Sequence, residues 1–392
     1  MAKVSTRLVG APGRVLFVAA AIHVVNDAFF ALLYPLLPLI AAEFSLSYTE
    51  TGLLKTAFSG AASLLQYPAG ILAERWGEFV LLLAGNAWVA LGLVAMGLAP
   101  SFAWLAALAV LGGLGGNTQH PLASSLVARA YPQAGRTAAL GTLNFAGDLG
   151  KMAGPALVGL AALGLGWRGV LMLVGVLGVL ISLAAAPTRG WMPARVPAPR
   201  VGARAADHGG IWSASFGLLM LVGILDAATR AAGLTFLPFV LGERGVDAAA
   251  ISLLFTVIFA GGAAGKFVCG WVGERWGALG VVWATEAVTA AALVLFLGAP
   301  PLALLPLALL FGFALNGTSS ILYAAVAALV PEHRRARGYG AFYTATQCAA
   351  AFAPAVYGAL ADRAGLTILF GTMALATLAI LPLAGTLRRA LR

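Results

Sequence analysis

Charged side chains are scarce in this chain. Asp, Glu, Lys and Arg make up 10% of its 392 residues, whereas 61% of the residues are hydrophobic. A soluble domain carries about 25% charged residues, so this composition cannot cover a surface that faces water. The predicted solvent is therefore lipid, in which the backbone must satisfy its own hydrogen bonds as helices or as a closed barrel. Long apolar runs, rather than alternating segments, favour helices.

Cysteine and histidine are also rare, with two and four residues. Cys269 and Cys348 lie in apolar segments without ligand-like spacing, so we expect buried free thiols rather than a disulfide or a metal site. The dispersed histidines form neither a nucleophile–base constellation nor a metal cluster, which argues against an enzyme. The sequence also lacks G-x-x-x-x-G-K-[ST], the phosphate-binding loop of nucleotide-driven machines.

The apolar runs predict twelve membrane-spanning helices. Seventeen Lys and Arg residues fall on the side of the two termini and three on the other, which predicts cytoplasmic termini. The net charge of +10 is therefore explained by the membrane topology and does not indicate a nucleic-acid partner. The first span is too long for a signal peptide. The predicted spans are 15–41, 50–74, 79–99, 101–128, 137–163, 168–187, 212–241, 249–273, 278–299, 301–330, 337–361 and 366–387.

The two halves of the chain resemble each other at an offset of about 200 residues. The segment Gly70–Gly77, GILAERWG, returns as Gly270–Gly277, GWVGERWG. Asp27 in the first predicted span corresponds to Asp226 in the seventh. Because six spans separate the members of each pair, both copies cross the membrane in the same direction. This order predicts a parallel repeat around an axis along the membrane normal.

The repeat predicts three regions in an all-α membrane protein. These are an N-terminal six-helix bundle (1–187), a cytoplasmic linker (188–211) and a C-terminal six-helix bundle (212–392). The linker holds three prolines and four arginines, so it is too polar to span. Two bundles joined in this way can rock against each other and open a central site to either side.

At Gly70–Gly77 the chain resembles the major facilitator superfamily, whose loop between helices 2 and 3 reads G-x-x-x-D-R-x-G-[RK]. The resemblance implies twelve helices in two pseudo-symmetric bundles, and a gate formed by the acid and the arginine. Glu74 replaces the usual aspartate, and Glu78-Phe79 replaces the usual basic pair. The implied gating residues are Gly70, Glu74, Arg75 and Gly77, with Glu274, Arg275 and Gly277 in the second half.

A second segment contains Gly141, Gly150, Gly154 and Pro155. It is similar to the helix 5 motif of proton-coupled antiporters in this superfamily and departs from it only at Val158. The resemblance implies export. The alternative is a generic face of small residues that allows close packing, as is common among membrane helices.

The segment Gly115–Ser125, GGNTQHPLASS, resembles the helix 4 signature of fosmidomycin-resistance-type exporters, and Asn26-Asp27 resembles their helix 1. The resemblance implies a proton-coupled exporter that moves a small anionic or drug-like molecule by alternating access. We expect it in the cell membrane, as a bacterial inner-membrane protein. The expected partners are the small-molecule substrate and the lipid bilayer, the expected state is a monomer, and no cofactor is expected besides a proton gradient.

A charged side chain inside the membrane costs free energy, so we expect each residue of this kind to have a structural or functional role. The predicted set is His23, Asp27, Lys55, His120, Asp148, Lys151, Asp226, Arg230, Lys266 and Glu286. Helical spacing pairs His23 with Asp27, Asp148 with Lys151, and Asp226 with Arg230. Each pair could instead be a self-neutralised structural element without a role in transport. As proton carriers we expect first Asp27 beside His23, and then Asp148. The resemblance implies that helices 3, 6, 9 and 12 are peripheral, and only Glu286 on the ninth helix does not match this pattern. Lys55 and Lys266 are expected to snorkel.

Lys151, Arg230 and His120 could converge on an anionic group. The predicted substrate-binding set combines these cations with polar residues: Asn26, Gln119, His120, Asn144, Lys151, Asp226, Arg230, Asn316, Tyr343 and Gln347. Three other functions stay open. They are a proton symporter that imports a small organic anion, a lysophospholipid transporter with few central charges, and a receptor or scaffold without proton flux.

Overall fold

The computed structural model describes residues 12–64, 66–116, 119–193, 213–331 and 334–387. These ranges contain α-helices, one short 3₁₀ helix at Ala186–Trp191 and no β-strand. The all-α prediction is therefore confirmed. The helices are α1 (Pro12–Ala31), α2 (Leu33–Phe44), α3 (Tyr48–Leu64), α4 (Gln66–Trp76), α5 (Glu78–Gly97), α6 (Phe102–Gly113), α7 (Gln119–Ala130), α8 (Gln133–Ala185), α9 (Ala214–Glu243), α10 (Ala248–Trp276), α11 (Ala278–Leu295), α12 (Pro301–Leu329) and α13 (Arg335–Thr386).

Two of these helices are too long for a single membrane crossing, and each is broken at a glycine. Gly166 in α8 has φ 63° and Gly365 in α13 has φ 82°. Glycine adopts this left-handed conformation without strain, so the chain turns there and each helix provides two spans. Three other predicted spans are each built from two consecutive helices: α1 with α2, α3 with α4, and α6 with α7. The twelve predicted spans are thereby accounted for within the described residues.

The chain divides into two compact units. The first comprises Met1–Leu32, Ala57–Gly154 and Gly164–Ala206, and the second comprises Leu33–Thr56, Pro155–Leu163 and Asp207–Arg392. The second unit thus takes in two segments from the predicted N-terminal bundle. Each unit has its own apolar core. Of the predicted linker, residues 194–211 lie outside the described part of the chain.

Within the second unit, α10 and α12 approach until their backbones touch. A Cβ atom on Gly312 would clash with the carbonyl group of Ile258, and a Cβ on Gly265 would clash with that of Phe313. Small residues permit such an approach in lipid, where van der Waals packing drives helix association. Gly265 and Gly312 are therefore required by packing.

The start of α3 is held by carboxylates from its own chain segment and from α13. Ser47 and Glu50 form a reciprocal capping box. Asp362 accepts hydrogen bonds from the backbone N–H of Tyr48 at 2.8 Å and of Thr49 at 2.9 Å, and also from the Thr49 hydroxyl. Burial raises the pKa of Asp362 and these hydrogen bonds lower it, with a net result below the ordinary 3.8.

We expect Gly312→Ala to destabilise the protein by about 1–3 kcal/mol, because the added methyl group has no space against α10. The matched control is Gly280→Ala, since a Cβ at Gly280 meets nothing within 4 Å. Melting temperatures of the purified variants in detergent measure the effect. Equal melting of Gly312→Ala and the wild type would contradict the packing assignment.

We expect Asp362→Asn to lower the melting temperature at neutral pH, because the ionised carboxylate is the stronger acceptor for the α3 start. A depressed folded-state pKa contributes stability above the ordinary value, and this contribution is lost as the pH falls through the folded pKa. The difference between variant and wild type should therefore shrink below about pH 4. If the melting temperatures of the variant and the wild type differ by the same amount at pH 7 and at low pH, the charge of Asp362 does not contribute to stability.

Candidate functional site

Five titratable side chains from α1, α7 and α8 meet in the first unit, and we call them the Asp27 cluster: His23, Asp27, His120, Asp148 and Lys151. The Asp27 carboxylate has Lys151 Nζ at 3.4 Å and the Nε2 atoms of His23 and His120 each at 3.7 Å. Lys151 also donates a hydrogen bond to Asp148 at 3.1 Å. The structure thus brings together all three residues predicted for proton coupling, with two of the predicted substrate residues.

Close packing of α8 on α1 positions this cluster. A Cβ on Gly150 would clash with the carbonyl group of Val24, and one on Gly147 would lie 2.6 Å from His23 Nε2 and 2.7 Å from Asp27 Oδ2. Gly154 makes a similar approach to Ala28. Two glycines of the predicted motif therefore bring Lys151 to Asp27.

The other positions of the motif differ in their surroundings. A Cβ on Gly141 meets nothing within 4 Å, so this glycine is not required by helix packing. Gly147, which the sequence analysis did not single out, has the closest approach to the cluster. Its spacing of three and seven residues from Gly150 and Gly154 places it on the same helical face, and this spacing was the available signal.

Burial differs within the Asp27 cluster. His23, Asp27 and Asp148 are buried, whereas the side chains of Lys151 and His120 are 32% and 37% exposed. The cluster therefore has a buried anionic side and an accessible basic side. Donor atoms of His23, Asp27 and His120 lie within 4.8 Å of one another. A metal ion does not fit well there, because the ammonium group of Lys151 lies against the same carboxylate and would repel it.

The second unit holds a smaller charged group on α9, formed by Asp226 and Arg230. Arg230 donates a hydrogen bond to Asp226 at 3.0 Å, as the spacing predicts. Glu286 on α11, the intramembrane charge that does not match a peripheral ninth helix, is buried.

Three predicted substrate residues of the first unit have different surroundings. Asn26 is buried, and neither polar atom of its side-chain amide has a hydrogen-bond partner among the described residues. Gln119 is buried and donates to the backbone carbonyl of Leu82 at 2.9 Å, which ties α7 to α5. Asn144 is exposed. Their contact with substrate stays a prediction.

In the second unit, three further predicted substrate residues are half-buried: Asn316, Tyr343 and Gln347. Asn316 packs against Gly262, at the close approach of α12 and α10. The ring of Tyr343 lies 6.1 Å from that of Tyr323, and Gln347 follows one turn later on α13. Each of the three cations predicted to meet an anion is ion-paired with a carboxylate: His120 and Lys151 with Asp27, and Arg230 with Asp226.

Lys55 does not snorkel. Only 4% of the residue is exposed, and its Nζ lies 4.1 Å from the centroid of the Tyr34 ring, a cation–π contact. Tyr34 in turn packs against Phe255 and Phe259. The aromatic rings shield this ammonium group, which explains why the lysine does not reach a surface.

The predicted gating segments each end in a glycine with positive φ, 85° at Gly77 and 80° at Gly277. Arg75 is exposed, and the guanidinium of Arg275 lies 3.9 Å from the ring centroid of Trp271. Burial and side-chain contacts of Gly70, Glu74 and Glu274 lie outside the described part of the structure. Their gating role stays a prediction.

One ion pair near Gly77 was not predicted. Glu78 pairs with Arg129 of α7 at 2.7 Å and accepts a hydrogen bond from Ser125 at 3.0 Å. Together with Arg75 and Arg189, this pair lines a cavity of about 540 Å³. The acid at Glu78, where the superfamily pattern has a basic pair, was the signal in the sequence.

Comparison with known proteins agrees with this fold. The fosmidomycin resistance protein of Escherichia coli (strain K12) is 33% identical over 135 residues, which cover 34% of this chain and 33% of that protein. The chain thus spans about a third of that relative's length in the match. The hexuronate transporter of Bacillus subtilis (strain 168) is 24% identical over 351 residues, covering 84% of this chain and 83% of that protein.

Among solved structures, a bacterial homologue of the human lysosomal transporter Spinster, in an inward-facing and unoccupied conformation, superposes with a TM-score of 0.82. It is 18% identical, and the match covers 97% of this chain and 98% of that one. This likeness shows the fold alone. The family model for the Major Facilitator Superfamily matches residues 19–217 and 219–391. The chain therefore belongs to the major facilitator superfamily and is a multi-pass membrane protein.

Proposed function

We propose that the protein is a proton-coupled exporter, which exchanges a small drug-like or anionic molecule for protons by alternating access. The observation that carries the proposal is the Asp27 cluster, in which one buried carboxylate faces an ammonium group and two imidazoles within 3.7 Å. Imidazole changes its charge near neutral pH, so a buried carboxylate–histidine group suits reversible proton binding.

Charge counting indicates where the proton binds. Asp27, Asp148 and Lys151 together carry one negative charge in excess while both histidines are neutral. Excess buried charge is costly in a low-dielectric medium, and one proton on His23 or His120 cancels it. The proton is therefore held by an imidazole that faces Asp27, and Lys151 supplies the permanent positive charge. Asp27 positions this proton, and Asp148 shares Lys151 with it.

Antiport requires that the cargo and the proton do not occupy the site at the same time. A cargo with a positive or hydrogen-bond-donating group that binds Asp27 would take the place of the imidazolium, so the proton would leave as the cargo arrives. Export is supported by the antiporter-like glycine motif, two of whose members pack α8 against α1, and by similarity to a fosmidomycin resistance protein.

A proton symporter that imports a small organic anion is the second candidate. An anion that binds Lys151 and His120 would draw these cations away from Asp27 and favour proton uptake, so both would move together. Similarity to a hexuronate transporter over 84% of the chain favours this candidate. A lysophospholipid transporter is less well supported, because the described helices hold two buried charged clusters where few central charges were expected.

The remaining features of the proposal follow from the sequence. The excess of basic residues on one side supports cytoplasmic termini, and similarity to a fosmidomycin resistance protein of Escherichia coli supports a location in a bacterial inner membrane. We propose a monomer whose partners are the lipid bilayer and the small-molecule cargo, without nucleic acid. The driving force is the proton gradient, with no other cofactor.

We expect Asp27→Asn to lose gradient-driven accumulation in everted vesicles, because the amide cannot hold an imidazolium. The probes are ethidium and fosmidomycin, and accumulation should fall to the level of vesicles without a pH gradient. Asp148→Asn should also reduce accumulation, because it removes the excess negative charge that the proton on the imidazole cancels. The control is Asp247→Ser, which removes a carboxylate but keeps an acceptor for the α10 start. Full transport by Asp27→Asn would refute coupling at this cluster.

We expect the sign of proton exchange on binding to identify the mode of transport. In weakly buffered solution with a pH indicator, ethidium should release protons from an antiporter, whereas D-glucuronate should cause a symporter to take up protons. Either signal should disappear in Asp27→Asn. Binding without any proton exchange in the wild type would remove the basis for both candidates.

A further inference from the structure

The cavity of about 540 Å³ near Gly77 lies where several helices of the first unit begin or end. It is bounded by the end of α4, the start of α5, the end of α7 and the 3₁₀ helix that follows α8. Its described lining includes three arginines and one carboxylate: Arg75, Arg129, Arg189 and Glu78. Each of these residues lies at or next to the end of a predicted span, so the cavity is at the level of the lipid headgroups.

The carboxylate in this cavity is already engaged within the protein. One oxygen of Glu78 accepts a hydrogen bond from Arg129 at 2.7 Å, and the other accepts one from Ser125 at 3.0 Å. The charges of Glu78 and Arg129 therefore cancel. Arg75 and Arg189 are exposed, and neither is paired with a carboxylate among the described side chains. These two arginines give the described lining an excess of two positive charges.

The start of α5 adds to this positive potential. Gly77 is the N-cap residue and provides no side-chain cap, and the three residues of the first turn line the cavity: Glu78, Phe79 and Val80. The first N–H groups of a helix have no partners within the helix and carry partial positive charge, so phosphate groups bind there. Together with two guanidinium groups, which suit phosphate oxygens, this helix start makes the cavity a site for a phosphate group.

The second half of the chain does not repeat the charged pair of the cavity. At an offset of 200 residues, Glu78 corresponds to Ala278 and Arg129 corresponds to Leu329. Arg275, the counterpart of Arg75, lies against the Trp271 ring instead. The fold of one half therefore does not require this ion pair, and packing alone does not explain it.

An apolar groove of about 340 Å³ begins beside the cavity, and Trp76 lines both. From Trp76 the groove follows α5 away from its start, past Leu81, Ala84 and Trp88. Trp88 is 53% exposed and lies on a helix that is long and apolar enough to cross a membrane. The open side of the groove therefore faces the lipid acyl chains.

A phospholipid has the same two parts in the same order, a phosphate at the membrane surface and acyl chains that extend into the bilayer. We propose that the first unit binds one anionic phospholipid, whose phosphate lies between Arg75 and Arg189 and whose acyl chain lies in the groove along α5. Basic pockets between membrane helices bind anionic headgroups in this way. A free phosphate would leave the groove unused, and the ammonium group of a zwitterionic lipid would be repelled by the arginines. The site shares no residue with the Asp27 cluster, so the inference goes beyond the proposed transport function.

Native mass spectrometry of the purified full-length protein in nonionic detergent tests the charged part of the site. The wild type should bind one dioleoyl-phosphatidylglycerol more tightly than dioleoyl-phosphatidylcholine, which has the same acyl chains. Arg75→Gln combined with Arg189→Gln should weaken this binding about 30-fold, or roughly fivefold for each arginine. The matched control is Arg275→Gln, which removes the corresponding arginine of the second half and should leave the affinity unchanged.

The same titration tests the groove without a change of charge. Ala84→Leu fills the groove and should weaken phosphatidylglycerol binding by about fivefold or more. The matched control is Ala284→Leu, because Ala284 is the counterpart of Ala84 at the repeat offset and is likewise exposed. Inorganic phosphate at the concentration of the lipid should not displace it, since phosphate occupies the cavity alone.

Equal affinity for the two lipids, or an equal loss of affinity in Arg75→Gln and Arg275→Gln, would overturn the inference. Displacement of the lipid by inorganic phosphate, or unchanged binding in Ala84→Leu, would show a site for a soluble anion and would overturn it as well. Should the double arginine variant fail to fold, Arg189→Gln alone must still weaken binding roughly fivefold, and Arg189→Lys must retain most of the affinity because it keeps the charge. Lipid binding is measured without any cargo, so failure of coupling at Asp27 remains distinguishable.

Discussion

Both charged clusters depend on one constraint: a charged side chain that is buried away from water must be neutralised by other side chains. The Asp27 carboxylate is buried, so its negative charge must be balanced by side chains rather than by solvent. Lys151 and two histidines provide this balance from three different helices. The close approach of α8 to α1 is therefore part of the site chemistry, because without glycines at 147, 150 and 154 the ammonium group could not reach the carboxylate.

The two halves meet the same constraint with different chemistry. Asp27 and Asp226 occupy corresponding positions in the repeat, and each is paired with one permanent cation, Lys151 in the first half and Arg230 in the second. Histidines accompany the first pair but not the second within the described residues. An imidazole changes its charge near neutral pH, whereas arginine stays charged. The halves are thus similar in fold and differ in the titratable groups that surround the buried carboxylate.

A shared fold does not identify the transported molecule. The relatives that match this chain include a fosmidomycin resistance protein and a hexuronate transporter, whereas the fold extends to proteins only 18% identical. Function resides in particular sites on a fold, so the cargo must be argued from individual polar side chains. Among the residues predicted to bind substrate, Asn26 is buried and its amide has no hydrogen-bond partner among the described residues.

Much of the fold could be predicted from local properties of the sequence. Apolar run lengths predicted the spans, and the offset of about 200 residues predicted the repeat. Helical spacing also predicted the pairs His23–Asp27, Asp148–Lys151 and Asp226–Arg230, since residues three or four apart share a face. These pairs needed no tertiary information because both partners lie on one helix.

Contacts between helices could not be derived in this way. The sequence did not show that Lys151 and His120 reach Asp27, that Glu286 is buried, or that the ammonium of Lys55 lies over Tyr34. Such contacts depend on how helices rotate and how closely they approach, which side-chain packing along their whole length determines. The sequence by itself therefore determined the helices, their order and the charges they carry. Only the tertiary structure decided which charges meet, because a residue's partner across a helix interface has no fixed spacing along the chain.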